Sequence, residues 1–304
     1  MQSDTEILAK LRFYSDNPTE RQLKHLQIRD IHTTSLTDNA PDTTTWAAAR
    51  IIATLKASKT FDGRLLDVGC GTGNYLSYFA NTLTSSTVGD MSDWLKLAVG
   101  LDRSGEALAE TRKKLAEYAN FSLLQSDALN LPFANPSFGA AMANRMLNQT
   151  GDIARALSEI RRVLVPGGLL FVVTADSQTV PILRAIHDTA LEKLGLPAHL
   201  YRHSTDPHQR LNRENGLEWF KAAGFSQVDW EEYLRVIVFR DVETALEHYT
   251  TGLTFQKSNG FAEPGISLEK WLDLYNEVKN RVAEVFEQQG HLEIHEGAGM
   301  FTVS

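Results

Sequence analysis

Two periodicities divide the chain. Over residues 1–60, apolar positions recur among polar ones at helical spacing, in TEILAKLRFY, TERQLKHLQIRDIH and TTTWAAARIIATLKA. A Ser/Thr/Asp/Pro-rich break at 33–45 separates the second stretch from the third, and Thr43, Thr44 or Thr45 is expected to cap the third helix. From residue 63, short apolar runs take over at 64–68, 97–101, 121–125, 138–143 and 168–174. Helical stretches at 74–82, 104–118 and 150–164 lie between several of them. Strands that alternate with helices imply right-handed crossovers and a parallel sheet. Residues 83–96 read as an insertion before the second strand.

Beyond residue 175 the alternation loosens. The pattern predicts a helix at 178–194, a polar loop (HLYRHSTDPHQRLNRENG), and a short helix at 214–223 that ends at Gly224, a C′ residue. A long strand follows at 227–239, then helices at 241–252 and 267–289 and a last strand at 292–303. The two late strands suit an antiparallel edge. The expected fold class is therefore α/β: a doubly wound, Rossmann-like, mostly parallel sheet with an antiparallel C-terminal edge strand and a helical cap. Residues 1–60 are read as an N-terminal helical lid segment, 61–239 with 291–304 as the Rossmann-like domain, and 240–290 as a helical cap insertion.

Composition narrows the function. The 304 residues are 42% hydrophobic and 22% charged, an ordinary balance for a soluble globular protein. With 38 acidic against 30 basic residues, the net charge of −8 lacks the positive footprint that phosphates require, so no nucleic-acid partner is expected and a small molecule is favoured. The single cysteine, Cys70, makes no internal disulfide and fits a reducing, cytoplasmic setting. No Cys/His cluster has zinc spacing, so no metal is expected. MQSDTEILAKLRFYSD has no apolar signal core, and no run of 18 apolar residues suggests a membrane span. A monomer or homodimer is expected.

The strongest motif is LLDVGCGTGNY, residues 65–75. Gly69, Gly71 and Gly73 follow an apolar strand and open a helix, where glycine lets the backbone turn sharply and approach a ligand; Cys70 sits within the turn. The spacing is G-x-G-x-G, whereas dinucleotide sites use G-x-G-x-x-G. Asp67 ends the strand just before it. A carboxylate there suits the cationic α-amino group of a methionine moiety and would repel a pyrophosphate. Asp102, with Arg103 after it, ends the second strand, where an acid accepts ribose hydroxyls. The competing reading is a helix-terminal acid beside a Ser104 cap, and Asp90 and Asp93 are rivals that follow no apolar strand. In SDALNLPF (126–133), Asp127 can accept from an adenine amino group while the Ala128 N–H donates to the ring.

Together these segments resemble a class I S-adenosylmethionine (SAM)-dependent methyltransferase, over about residues 63–175. FGAAMANRMLNQTGD (138–152) resembles the segment that the family places beside the reactive methyl, and RALSEIRRVLVPGGLLFVVT (155–174) its helix, Pro-Gly-Gly turn and fifth strand. NRENGLEWFKAAGF (212–225) looks like a small-molecule subgroup with a helical insert before the last strand. Two positions depart from the pattern. Gly139 stands where Asp is usual, and Asn148-Gln149 where a His-containing pair is common.

The resemblance implies SAM as cofactor, S-adenosylhomocysteine (SAH) as product, and in-line displacement at carbon. Alignment can supply ~7–11 kcal/mol, so no triad is required. Asn144 is expected near the methionine part of SAM, with Arg145, Met146 and Asn148 facing the acceptor; Tyr14, Trp46 and Arg29 read equally as lid residues or as packing residues. Asp176, His203, His208 and His32 are the base candidates. Trp271, Tyr275 and Phe286 read as cap packing. His291 and His295 in HLEIHE fall on a strand pattern, against a metal site. The expected activity is methyl transfer (EC 2.1.1.-) to oxygen or nitrogen of a small-molecule metabolite or natural product. The alternatives are an RNA or protein methyltransferase, a non-catalytic SAM-binding protein or a dehydrogenase. ANRM stands where amino-purine and glutamine-amide methylases carry an NPPY-type tetrapeptide.

Overall fold

The chain is described by a computed structural model over residues 3–16, 24, 41–84, 94–175, 181–196, 211–251 and 268–304. It divides into two compact units, one of Pro41–Ser177, Pro207–Tyr233 and Ala298–Ser304, the other of Met1–Ala40, Gln178–Asp206 and Leu234–Gly297. The helical elements are α1 (Asp4–Asp16), α2 (Thr43–Ala57), α3 (Asn74–Thr84), α4 (Gly105–Lys114), α5 (Ile153–Val163), α6 (Pro181–Lys193), α7 (Gly216–Ala222), α8 (Val242–Thr251) and α9 (Leu268–Gln289). The strands are β1 (Arg64–Val68), β2 (Leu97–Asp102), β3 (Phe121–Gln125), β4 (Phe138–Met142), β5 (Leu164–Ala175), β6 (Val228–Phe239) and β7 (Leu292–Val303).

The sheet order is β3-β2-β1-β4-β5-β7-β6. Strands β1 to β5 pair in parallel, while β7 runs antiparallel to β5, from Leu170↔Val303 to Ala175↔Ala298. Gln227 and Ser304 exchange both backbone hydrogen bonds, the mark of an antiparallel pair just before β6. The expected mostly parallel sheet with an antiparallel edge is therefore present, and β7 is the second strand from that edge. The order reverses at β1, where chains leave β1 and β4 in opposite directions. Sheets of this kind bind ligands at the carboxyl ends of their strands at such a reversal.

One sheet face carries Leu66, Val68, Val99, Leu101, Ala141, Leu170 and Val172 against Ala156, Leu157 and Ile160 of α5. The other carries Leu65, Ala98, Ala140, Met142, Phe171 and Val173 against Ala47, Ile51 and Leu55 of α2 and Leu76 and Phe79 of α3. Strand β4 is buried at all five positions, which its small residues permit. At Gly139, a Cβ would lie 2.5 Å from Asp62 Oδ1 and 2.9 Å from Asp62 N. The family's usual acid at 139 has no room, because the Asp62 carboxylate occupies that space and binds Arg64.

Two sequence expectations change here. Asp42 caps α2, its side chain accepting from Thr44 N and Thr45 N, and the three threonines lie inside the first turn. Helix α2 is also part of the sheet-bearing unit, with Ala47, Ala48 and Ile51 fully buried, rather than of a separate segment 1–60. The apolar face of TTTWAAARIIATLKA is wide enough to cover the sheet, which a sequence window reports as amphipathicity without naming the surface covered.

The second unit has its own core. Trp271, Leu274, Val278 and Val282 form the buried stripe of α9, with Leu183, Ile186 and Ala190 of α6, Leu246 and Tyr249 of α8, Ile237 and Phe239 of β6 and Ile7 of α1. Trp271 and Tyr275 pack this core as expected, with Phe286 partly buried against it. Glu277 receives Lys193 at 2.7 Å and Arg281 at 2.9 Å, joining α6 to α9.

Candidate functional site

The glycine turn leaves β1 and is tied to β2. Gly69 N and Cys70 N both donate to Leu101 O, at 2.7 and 3.0 Å. Gly69, Gly71 and Gly73 have φ of +70°, +56° and +77°, a region costly to residues with a Cβ. Space adds to this at two of them. A Cβ on Gly73 would lie 2.4 Å from Thr111 Cγ2, and one on Gly69 would lie 2.7 Å from Met146 Cβ. At Gly71 it would meet nothing within 4 Å, so the turn presents bare backbone to open space there. Thr111 on α4 holds the turn from below, donating from Oγ1 to Gly71 O at 2.8 Å. Sequence reasoning missed Thr111; a threonine on a helix two strands away carries no local signal.

Two carboxylates stand beside the turn. Asp67 pairs in register with Gly100 on β2 and Met142 on β4, so by strand alternation Asp67, Asp102 and Asn144 share one sheet face. Asp67 is 1% exposed, and its Oδ2 has no hydrogen-bond partner among the described residues. Burial, with the Asp102 charge beside it, pushes its carboxyl up to about 8. The Cys70 thiol is pushed up as well, by burial first and then by Asp67 and Asp102. Asp102 is half-buried. Its Oδ2 accepts from Gly71 N at 2.8 Å and its Oδ1 from Ser104 N at 2.9 Å, while Ser104 caps α4. Asp102 thus has the helix-terminal contacts of the competing reading, and each of its carboxylate oxygens keeps a second acceptor site. Arg103 is exposed, and its carbonyl accepts from Gln125.

Asp127 lies two residues beyond Gln125, the β3 partner of Asp102. It is exposed and accepts from Leu129 N at 2.9 Å; Ala128 is buried. The loop that carries them is fixed from α5. Glu159, 5% exposed, accepts from Leu131 N at 2.9 Å, and Arg162 donates to Leu131 O and Phe133 O at 2.8 and 2.7 Å and to both Glu159 oxygens. Arg155 reaches Leu129 O. None of these three bracing residues was singled out in the sequence.

The β4 exit forms the other wall. Asn144, 8% exposed, accepts from Val173 N through Oδ1, which fixes its amide so that Nδ2 is a buried donor without a partner among the described residues. Arg145 has φ of 58°, the one positive value at a non-glycine among the described residues, and such strain collects at functional sites. Met146 covers Gly69. Asn148 differs from its expected acceptor-facing role. Its Nδ2 donates to Leu211 O at 3.1 Å and its Oδ1 accepts from Leu211 N at 2.8 Å, so both ends of the amide brace backbone.

Asp176, His203, His208, His32, Arg29, Asp90 and Asp93 lie outside the described residues, as does the Tyr14 side chain. Trp46 stacks on Tyr233 at 4.8 Å, the packing arm of its two expected roles. His295 lies on β7 and His291 immediately precedes that strand, so at the rise of an extended chain their four-residue separation spans about 13 Å, too far to share one ion.

This combination defines a class, a Rossmann-like domain with a glycine turn and strand-end acids at the reversal of its sheet. The chain matches the family described as "Methyltransferase domain" over residues 66–172. It is 30% identical over 165 residues to demethylmenaquinone methyltransferase of Corynebacterium kroppenstedtii, covering 51% of this chain and 69% of that one. It is 31% identical over 137 residues to the Staphylococcus epidermidis enzyme of the same name, covering 45% of this chain and 52% of the relative, so the chain spans about half the length of that relative. Among solved structures, the [4+2]-cyclase SpnF superposes with a TM-score of 0.51 at 21% identity, over 96% of this chain and 94% of that chain. The chain belongs to the class I SAM-dependent methyltransferase family.

Proposed function

We propose that the protein transfers the methyl group of SAM to an oxygen or nitrogen of a small-molecule acceptor. The observation that carries the reading is the buried Asp67 carboxyl at the reversal of the sheet, whose Oδ2 has no partner among the described residues, beside a glycine turn that opens on empty space at Gly71. That pairing of a hidden acid with exposed backbone suits a ligand that brings its own cation. Relatives named for demethylmenaquinone methylation and the net charge of −8 favour a small acceptor over a nucleic acid.

In this reading Asp67 takes the α-ammonium and the free acceptor sites of Asp102 take ribose hydroxyls, with Arg103 alongside. Asp127 and the Ala128 N–H read the adenine, and Gly69, Cys70, Gly71 and Gly73 line its approach with backbone. Asn144 Nδ2 donates toward the methionine end or the acceptor, and Arg145 and Met146 face the acceptor. Bound SAM supplies a methyl carbon already activated by a sulfonium. The chain's own task is therefore to orient and to exclude water, with a proton acceptor needed only for a protonated nucleophile. Asp176 and His203 are the proposed proton acceptors, and Tyr14 a substrate contact. Asn148 is assigned to bracing Leu211.

The test is ligand binding followed by transfer. SAH at 100 times its Kd should stabilise the fold by about 2.7 kcal/mol by linkage, whereas NAD should leave the melting temperature unchanged. Labelled methyl from SAM should then appear in phenolic, quinol or amine metabolites and not in RNA or bulk protein. A melting temperature indifferent to SAH would end the reading. Asp102→Ala is expected to weaken SAH binding by about 1–3 kcal/mol, the cost of unpaired polar groups. Calorimetry finding unchanged affinity would remove Asp102 from the site.

A further inference from the structure

The site contains an acid with no counter-charge. Asp67 is packed on both sides by β2 and β4, and one of its oxygens finds no hydrogen-bond donor among the described residues. Among the described residues, the one charge that acts on it is negative, that of Asp102. Asp102 on β2 is a second carboxylate, Cys70 in the turn is a buried thiol, and β4 contributes the neutral amide of Asn144. Helices α2 and α3 cover the same face with apolar side chains and the partly buried rings of Tyr75 and Tyr78. An ionised carboxylate in such a place would be uncompensated, and a buried group in that position keeps its proton.

We infer that Asp67 stands as a neutral acid in the empty site and gives its proton to solvent only when a ligand ammonium is seated against Oδ2. Asp67 thereby selects adenosyl ligands that carry an amino-acid cation over those that lack one, and their binding releases one proton. The balance is simple: the O–H bond of the carboxylic acid breaks, the proton goes to buffer, and the carboxylate pairs with the incoming ammonium. The inference rests on the adenosyl-site reading and adds the charge state that reading leaves open.

The decisive measurement is titration calorimetry of the full chain with SAH at pH 7, in buffers of low and high ionisation enthalpy. The difference in heat should correspond to release of nearly one proton. With the empty-site carboxyl near 8, SAH affinity should rise about tenfold from pH 6 to pH 7 and level off above pH 8. 5′-Methylthioadenosine, which lacks the amino-acid end, should bind more weakly, with no proton release and no pH dependence. Asp67→Asn should bind SAH more weakly and with a flat pH profile. SAH binding to the wild type without proton release would overturn the inference while leaving the adenosyl site intact. Absence of SAH binding from the folded wild type would overturn both. The two-ligand comparison needs no variant, so a poorly folding Asp67→Asn leaves the answer unaffected.

Discussion

Gly73→Ala should abolish measurable SAH binding and lower stability by about 2–5 kcal/mol. Two costs combine. An alanine at φ +77° is forced into the left-handed region, roughly 1–2 kcal/mol, and its methyl is driven into Thr111, where overpacking costs roughly 1–3 kcal/mol. Thr111 cannot swing aside cheaply, because its hydroxyl bonds both Gly71 O and Ala107 O. The turn must therefore shift, and in the proposed site the turn is the ligand's floor. Adding Thr111→Ala to Gly73→Ala should restore the steric part of the stability loss and leave the backbone part. Denaturant melts of the four proteins of that cycle, with SAH calorimetry on each, check both halves. A Gly73→Ala protein with unchanged midpoint and unchanged affinity would show that the turn is not shaped as described.

Glu159→Ala is the second large effect, and it acts at a distance from any ligand. Removing this buried carboxylate strands the Leu131 N–H and leaves Arg162 without its pair, an expected loss of about 2–4 kcal/mol. The loop carrying Asp127 and Ala128 loses its brace, so SAH affinity should fall too, and the rate at saturating SAM should change less than the affinity. The same residue gives a pH signature. The Arg162 guanidinium holds the Glu159 carboxyl below its ordinary value of 4.5. Its stabilisation is therefore complete above the unfolded value and is withdrawn as pH falls through the lower folded value. Wild type and Glu159→Gln should thus converge in stability as pH drops below about 4.5. A gap between them that stays constant down to acid unfolding would assign the effect to packing alone.

Much of the architecture could be read directly from the chain. The strand reading at 64–68, 121–125 and 292–303 matches the observed spans, and the helices expected after residue 210 agree within one or two residues. The segment 104–118 forms a shorter helix, ending at Lys114, because Leu115 leaves the helical conformation with φ of −106° and ψ of 8°. The site was legible wherever its chemistry is local. Three alternate glycines after an apolar strand, and acids at strand ends, are short-range signals. It was illegible wherever a residue works through a partner far along the chain. Asn148 looked acceptor-facing until Leu211, 63 residues away, was found on both ends of its amide.

The sequence by itself determined the alternation of strands and helices, the glycine turn and the acids flanking it. Periodicity and turn chemistry act over a few residues and are written in order. Tertiary structure alone decided which polar groups are satisfied and which are left waiting. Asp62 fills the space of a side chain at 139, Glu159 and Arg162 hold the loop from 28 to 31 residues away, and Asp67 Oδ2 and Asn144 Nδ2 have no partners among the described residues. Burial and hydrogen-bond satisfaction are properties of what surrounds a group in space, and only the packed chain brings those surroundings together.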